Sequence, residues 1–162
     1  MVFSEPANVY RFLSRWIFPA DPGRIYALIS EPLRYPEWWR GVHLQVEELA
    51  RGAPDGVGRT VRMSVRSFLP YRLTWELRCV EARKPWGLTS EASGDLTGTG
   101  KWTLEAQAMG TNVTFEWNVL ASRPLLRFGS FLLRPLFKAN HDWVMERFER
   151  GLRQELAKDA VR

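Results

Sequence analysis

Cysteine is nearly absent: Cys79 is the only one in 162 residues. A single thiol cannot close an intrachain disulfide. Histidine is almost as scarce, with His43 and His141 alone. No Cys/His cluster has metal-ligand spacing, so no metal site is expected. A catalytic thiol at Cys79 would need a base beside it. Its place among apolar residues of a strand pattern fits a small buried hydrophobe better. No run of about 18 apolar residues occurs, so no transmembrane helix is expected. The first eight residues lack a basic stretch followed by an apolar one, so no signal peptide is expected and cytoplasm is the default location. Phosphate loops and paired catalytic carboxylates are missing too, and no cofactor is expected. Without repeats or low-complexity linkers, one domain over residues 1–162 is the expectation.

What is present is aromatic. Apolar residues make up 45% of the chain and aromatics 13%, with eight Trp. Disorder is excluded by that apolar share. Trp suits sites that are apolar at one end and polar at the other, such as ligand pockets. The net charge of +5 is spread along the chain. It forms no basic stripe interleaved with stacking aromatics, so nucleic acid is not an expected partner.

Alternation marks the elements. Val9 to Phe18 reads as a strand with Tyr10, Phe12, Trp16 and Phe18 on one face and Leu13 and Ile17 on the other. Asp21-Pro22 starts a helix, as a side-chain N-cap followed by proline at the first helical position. It runs through Ile25, Leu28 and Ile29 to about Ser30. Residues 35–41 read as a brief helical turn. From Val42 to Val119 six strands follow. Val42, Leu44 and Val46 share a face, then Val61, Met63 and Val65. Tyr71, Leu73, Trp75, Leu77 and Cys79 come next, then Leu88 to Ser93. Trp102, Leu104 and Ala106 share a face, as do Val113, Phe115, Trp117 and Val119. Turns fall at Gly52–Gly58, Lys84–Gly87, Gly94-Asp95 and Met109–Asn112. Clean alternation implies an antiparallel sheet with one wet face. Pro135 is expected to open a last helix with Leu136, Phe137, Val144, Phe148, Leu152 and Leu156 on one side. A sheet curled around that helix is the packing that buries both, and it encloses a cavity.

The chain resembles the START/Bet v 1-like (SRPBCC) superfamily, including its polyketide cyclase/dehydrase branch. The resemblance rests on Trp16 ending the first strand, Ala20-Asp21-Pro22 with Ile25-Tyr26, and Tyr35-Pro36-Glu37-Trp38-Trp39. It continues through Gly52, Gly56 and Gly58, Gly94, Gly98 and Gly100-Lys101-Trp102, Gly110 to Phe115, and Gly151-Leu152. It implies an α+β helix-grip fold: a curved antiparallel sheet wrapped around a long C-terminal helix, with an internal cavity. Such proteins bind lipids, sterols, polyketides or quinones, and some are cyclases or dehydratases. The resemblance supplies no single catalytic set.

The expected cavity lining follows from the strand and helix faces. Tyr71, Leu73, Trp75, Trp102, Phe115 and Trp117 supply the sheet side. Phe137, His141, Val144 and Phe148 supply the helix side. Trp75, Trp102 and Trp117 fit core packing as well as ligand contact. Of Trp38 and Trp39, one is expected in the core and the other at the cavity mouth, and Trp39 is a candidate ligand contact. His141 lies in the apolar stripe of the last helix. It is either a buried histidine satisfied by a backbone or side-chain partner, or a ligand contact or general acid/base, with Asn140 beside it. Tyr71 is the best placed hydroxyl. Residues 123–138 mix arginines with large apolar residues and read as a lid, with membrane contact the less favoured alternative. The scarcity of convergent polar groups favours binding of a hydrophobic or amphipathic small molecule. A cyclase or dehydratase in the same cavity, or an interaction module, are the alternatives.

Overall fold

Seven strands form one antiparallel sheet in the computed structural model, which describes residues 9–66, 72–121 and 130–161, without the side chains of 130–133 and 160. They are β1 (Val9–Phe18), β2 (His43–Ala50), β3 (Thr60–Arg66), β4 (Arg72–Arg83), β5 (Gly87–Gly94), β6 (Leu96–Gln107) and β7 (Gly110–Ala121). The order is β1-β7-β6-β5-β4-β3-β2. From β2 to β7 the sheet is a meander, because each strand pairs with its successor. β1 lies at the far edge, against β7. The chain must therefore cross from one edge to the other between β1 and β2.

Two short helices make that crossing: α1 (Pro22–Ile29) and α2 (Tyr35–Trp38), with a 3₁₀ turn at Pro32–Arg34 between them. Asp21 caps α1 from an extended conformation, and its carboxylate accepts from the Arg24 amide at 3.1 Å. Proline follows at N1, where a missing N–H costs nothing. Ile25, Tyr26 and Ile29 are the buried face. The Tyr35 hydroxyl donates to the Ile29 carbonyl at 2.5 Å, which joins the end of α1 to the start of α2. Arg59 anchors the β2–β3 hairpin to this crossing. Its guanidinium reaches both Glu31 oxygens, at 2.7 and 3.1 Å, and Glu48 at 2.9 Å.

The last helix, α3 (Ser130–Ala160), has 31 residues and so measures about 46 Å at 1.5 Å per residue. Met145, Phe148, Leu152 and Leu156 are its buried stripe. The curved sheet grips this stripe, giving the α+β helix-grip architecture. Gly151 sets the approach of α2 to α3. A Cβ there would stand 2.1 Å from the Trp38 carbonyl oxygen, so the two backbones meet only at glycine.

Three expectations need correction. The helix does not open at Pro135, which lies inside it. Proline removes the bond to the carbonyl of the fourth residue before it. Pro135 is the sixth residue of α3, past the four N–H groups that lack intrahelical partners, so the helix goes without its bond to the Phe131 carbonyl. Leu136 is 38% exposed and does not belong to the inward stripe, whereas Met145 does. In β2, Leu44 does not share the inward face with Val42. The register shifts between His43 and Gln45. Such a bulge sets two residues against one and breaks alternation. Val42 and His43 are both buried as a result, and Leu44 is 38% exposed.

Candidate functional site

A cavity of about 140 Å³ lies between the concave face of the sheet and α3. Alternation along the strands supplies its sheet side. β3 gives Met63 and Val65; β4 gives Leu73, Trp75 and Leu77; β6 gives Trp102; β7 gives Phe115, Trp117 and Val119. β1 adds Tyr10 and Phe12, and α3 adds Phe137, Asn140, His141, Val144 and Met145. Gly100 makes room for the aromatic wall. A Cβ there would stand 2.9 Å from Trp117 Cε3, inside contact distance. The rings of Trp102 and Phe115 stack at 4.1 Å, and Trp117 lies 5.9 Å from Phe115 and 6.1 Å from Trp75.

Trp39, Trp75, Trp102, Phe115, Trp117, Phe137, His141 and Val144 therefore line one cavity. Phe148 does not. It is 0% exposed and sits in the core beneath, its ring 5.0 Å from those of Trp39 and Trp102. Tyr71, and residues 123–129 of the expected lid, lie outside the described residues. Trp38 and Trp39 do not divide between core and mouth: both are buried. Trp39 is the C-cap of α2, with φ −92° and ψ 60°, and has left helical geometry. That change of direction lets two neighbours turn inward together, with rings stacked at 5.8 Å. The Trp39 indole N–H donates to the Val144 carbonyl at 3.1 Å, tying the cavity wall to α3.

His141 has a side-chain partner and lines the cavity as well. Its ring stacks on Phe12 at 4.0 Å and 10°. Ser14 Oγ lies 3.5 Å from Nε2, at the long limit for a hydrogen bond. Burial, offset in part by Asp142, pushes this imidazole down to about 4. Its ring is therefore neutral near pH 7 and a weak proton acceptor.

His43, Ser90 and Tyr35 also line the cavity, and none is a site candidate from the sequence. Burial alone pushes the His43 imidazole down to about 3. Its ring is packed 4.5 Å from Trp39 and 5.0 Å from Tyr35. The bulge in β2 hides it from any alternation rule. Ser14 is equally hidden, as a small polar residue within an aromatic stripe.

No Asp, Glu, Lys or Arg lines the cavity among the described residues. Nor do the described residues hold a cluster of three or more His, Cys, Asp or Glu able to ligate a metal. The Cys79 thiol is pushed up by burial, which removes thiolate character at neutral pH. A second cavity, of about 260 Å³, lies among α1, the β2–β3 loop and β4. It is larger but charged, with Glu31, Asp55, Arg59 and Lys84 around it. Tyr35, Leu77 and Trp102 form the wall that both cavities share. No described helix is long and apolar enough to cross a membrane.

Solved structures share this fold at low identity. A protein of Thermus thermophilus matches with a TM-score of 0.73 at 19% identity, over 93% of this chain and 99% of that one. The Zhui aromatase/cyclase from Streptomyces sp. R1128 matches with 0.73 at 15%, over 95% and 96%. The di-domain ARO/CYC StfQ from the steffimycin biosynthetic pathway matches with 0.70 at 16%, over 94% of this chain and 53% of that one. No curated protein matches the chain. The profile described as polyketide cyclase/dehydrase and lipid transport spans residues 11–156, and the chain belongs to that family.

Proposed function

We propose that this protein binds a hydrophobic or amphipathic small molecule, of lipid, polyketide or isoprenoid type, in the cavity between sheet and α3. One observation carries this: the cavity is walled by aromatic and aliphatic side chains, with a few polar groups and no described charge. Ligand sites have this composition, an apolar enclosure with sparse polar groups that fix orientation. Its size sets what enters. An apolar cavity of about 150 Å³ takes a benzene-sized molecule. At about 140 Å³ the cavity accommodates one ring or a short branched chain. A longer ligand requires the wall of Tyr35, Leu77 and Trp102 to give way toward the second cavity.

A cyclase or dehydratase is the second reading, favoured by the family and by His141 at the cavity wall beside Asn140. Its weakness is basicity. A general base works best with a pKa near the operating pH, and burial holds His141 at about 4. His141 is better suited to orient a ligand by a neutral hydrogen bond than to remove a proton.

Native mass spectrometry of the purified protein tests the binding reading. The expected spectrum contains a species heavier than the bare chain, lost on denaturation, with an apolar compound in the organic extract. A bare chain that also binds no apolar ring saturably would remove the proposal. If His141→Ala then bound and processed ligand like wild type, the cyclase role of His141 would be gone.

A further inference from the structure

Two cavity-lining side chains carry buried polar atoms with no protein partner: Nδ1 of His43 and Nε1 of Trp75. Both residues are more than nine-tenths buried, at 7% and 8% exposure. Such atoms cost stability when left unpaired, and native proteins retain few of them. Trp38 Nε1 and Arg147 Nε share the condition but do not line the cavity.

Register places the cavity pair. His43 pairs with Val65, which pairs with Leu73, two residues before Trp75. The two residues thus share the concave face, with their Cα positions about 10 Å apart across strands and about 7 Å along them. Two unpaired groups on separate strands each call for a bonding partner. A ring with oxygens on two sides spans the gap. The indole N–H only donates, and a neutral imidazole offers one donor and one acceptor. The described lining holds no cation to neutralise a carboxylate, and an unpaired buried charge is far more costly than an unpaired dipole.

We propose that His43 and Trp75 form the polar recognition pair of the cavity, selecting an uncharged ring that bears hydroxyl or carbonyl oxygens at two positions. The Trp75 indole donates to one oxygen, and His43 Nδ1 bonds the other. This rests on the ligand-binding reading of the cavity and names the class of ligand.

Calorimetric titration with benzene, phenol, resorcinol and benzoate tests it. Resorcinol is expected to bind tightest, phenol next and benzene more weakly, with about tenfold between the extremes. Benzoate is expected not to bind. Trp75→Phe and His43→Leu should each bring the ratio of resorcinol to benzene affinity down to about the wild-type ratio of phenol to benzene. Equal affinity for benzene and resorcinol overturns the recognition pair and leaves the cavity reading standing. Tightest binding by benzoate overturns it too. Binding by none of the four removes the cavity reading, and the pair with it. Should a variant fail to fold, the wild-type series decides alone.

Discussion

Acidification from pH 6.5 to about pH 5 is expected to remove about 3 kcal/mol of folding stability through two imidazoles. Burial holds His43 at about 3 and His141 at about 4, against an ordinary value of 6.5. Below pH 6.5 the unfolded chain takes up protons that the folded protein refuses. Stability is complete above pH 6.5 and falls as pH drops toward 4 for His141 and 3 for His43. Each residue loses about 1.4 kcal/mol per pH unit once its unfolded form is mostly protonated. Domain stabilities are about 5–15 kcal/mol, so the loss is a large share. Urea unfolding at pH 7 and pH 5, followed by Trp fluorescence, measures it. The His43→Leu, His141→Leu double variant should show a much flatter dependence between those pH values. The same steep dependence in that variant would assign the effect to other groups.

Phe148→Ala is expected to cost about 4 kcal/mol, the range for a fully buried aromatic truncated in a core. Phe148 is the hub of the aromatic core below the cavity. Its ring lies 4.9 Å from Trp16, 5.8 Å from Trp38 and 6.2 Å from Phe18, besides Trp39 and Trp102. These rings come from β1, α2 and β6, so no one neighbour can move into the void without leaving another. Leu136→Ala, on the same helix but 38% exposed, should cost under about 1 kcal/mol. Denaturant midpoints of the two variants check the contrast. Comparable losses would mean that α3 is not gripped along the Phe148 side.

The sheet is legible in the sequence because most of its strands keep strict alternation. One face of β3 reads Val61, Met63, Val65, and these are buried at 2, 2 and 6% exposure. The wall positions Trp75, Trp102, Phe115 and Trp117 follow from the same rule. Two of the polar positions do not. His43 lies at a bulge, where alternation fails, and a bulge leaves no fixed mark in sequence. Ser14 is visible only through contact with His141, 127 residues away. The inward turn of both Trp38 and Trp39 depends on one non-helical residue at the end of α2. Period-based reading thus recovers the apolar wall, with Trp75 and His141 on it, and misses His43 and Ser14. Those groups are defined by tertiary packing, not by local pattern.

The indole N–H signals of the protein, recorded by two-dimensional NMR during titration with toluene, test ligand binding in the cavity most directly. Trp39, Trp75, Trp102 and Trp117 line the cavity, whereas Trp86 is half exposed and lies outside it. The expected result is a saturable shift of the four lining indoles with Trp86 unmoved. Absence of saturation, or shifts confined to Trp86, would contradict a binding cavity between sheet and α3.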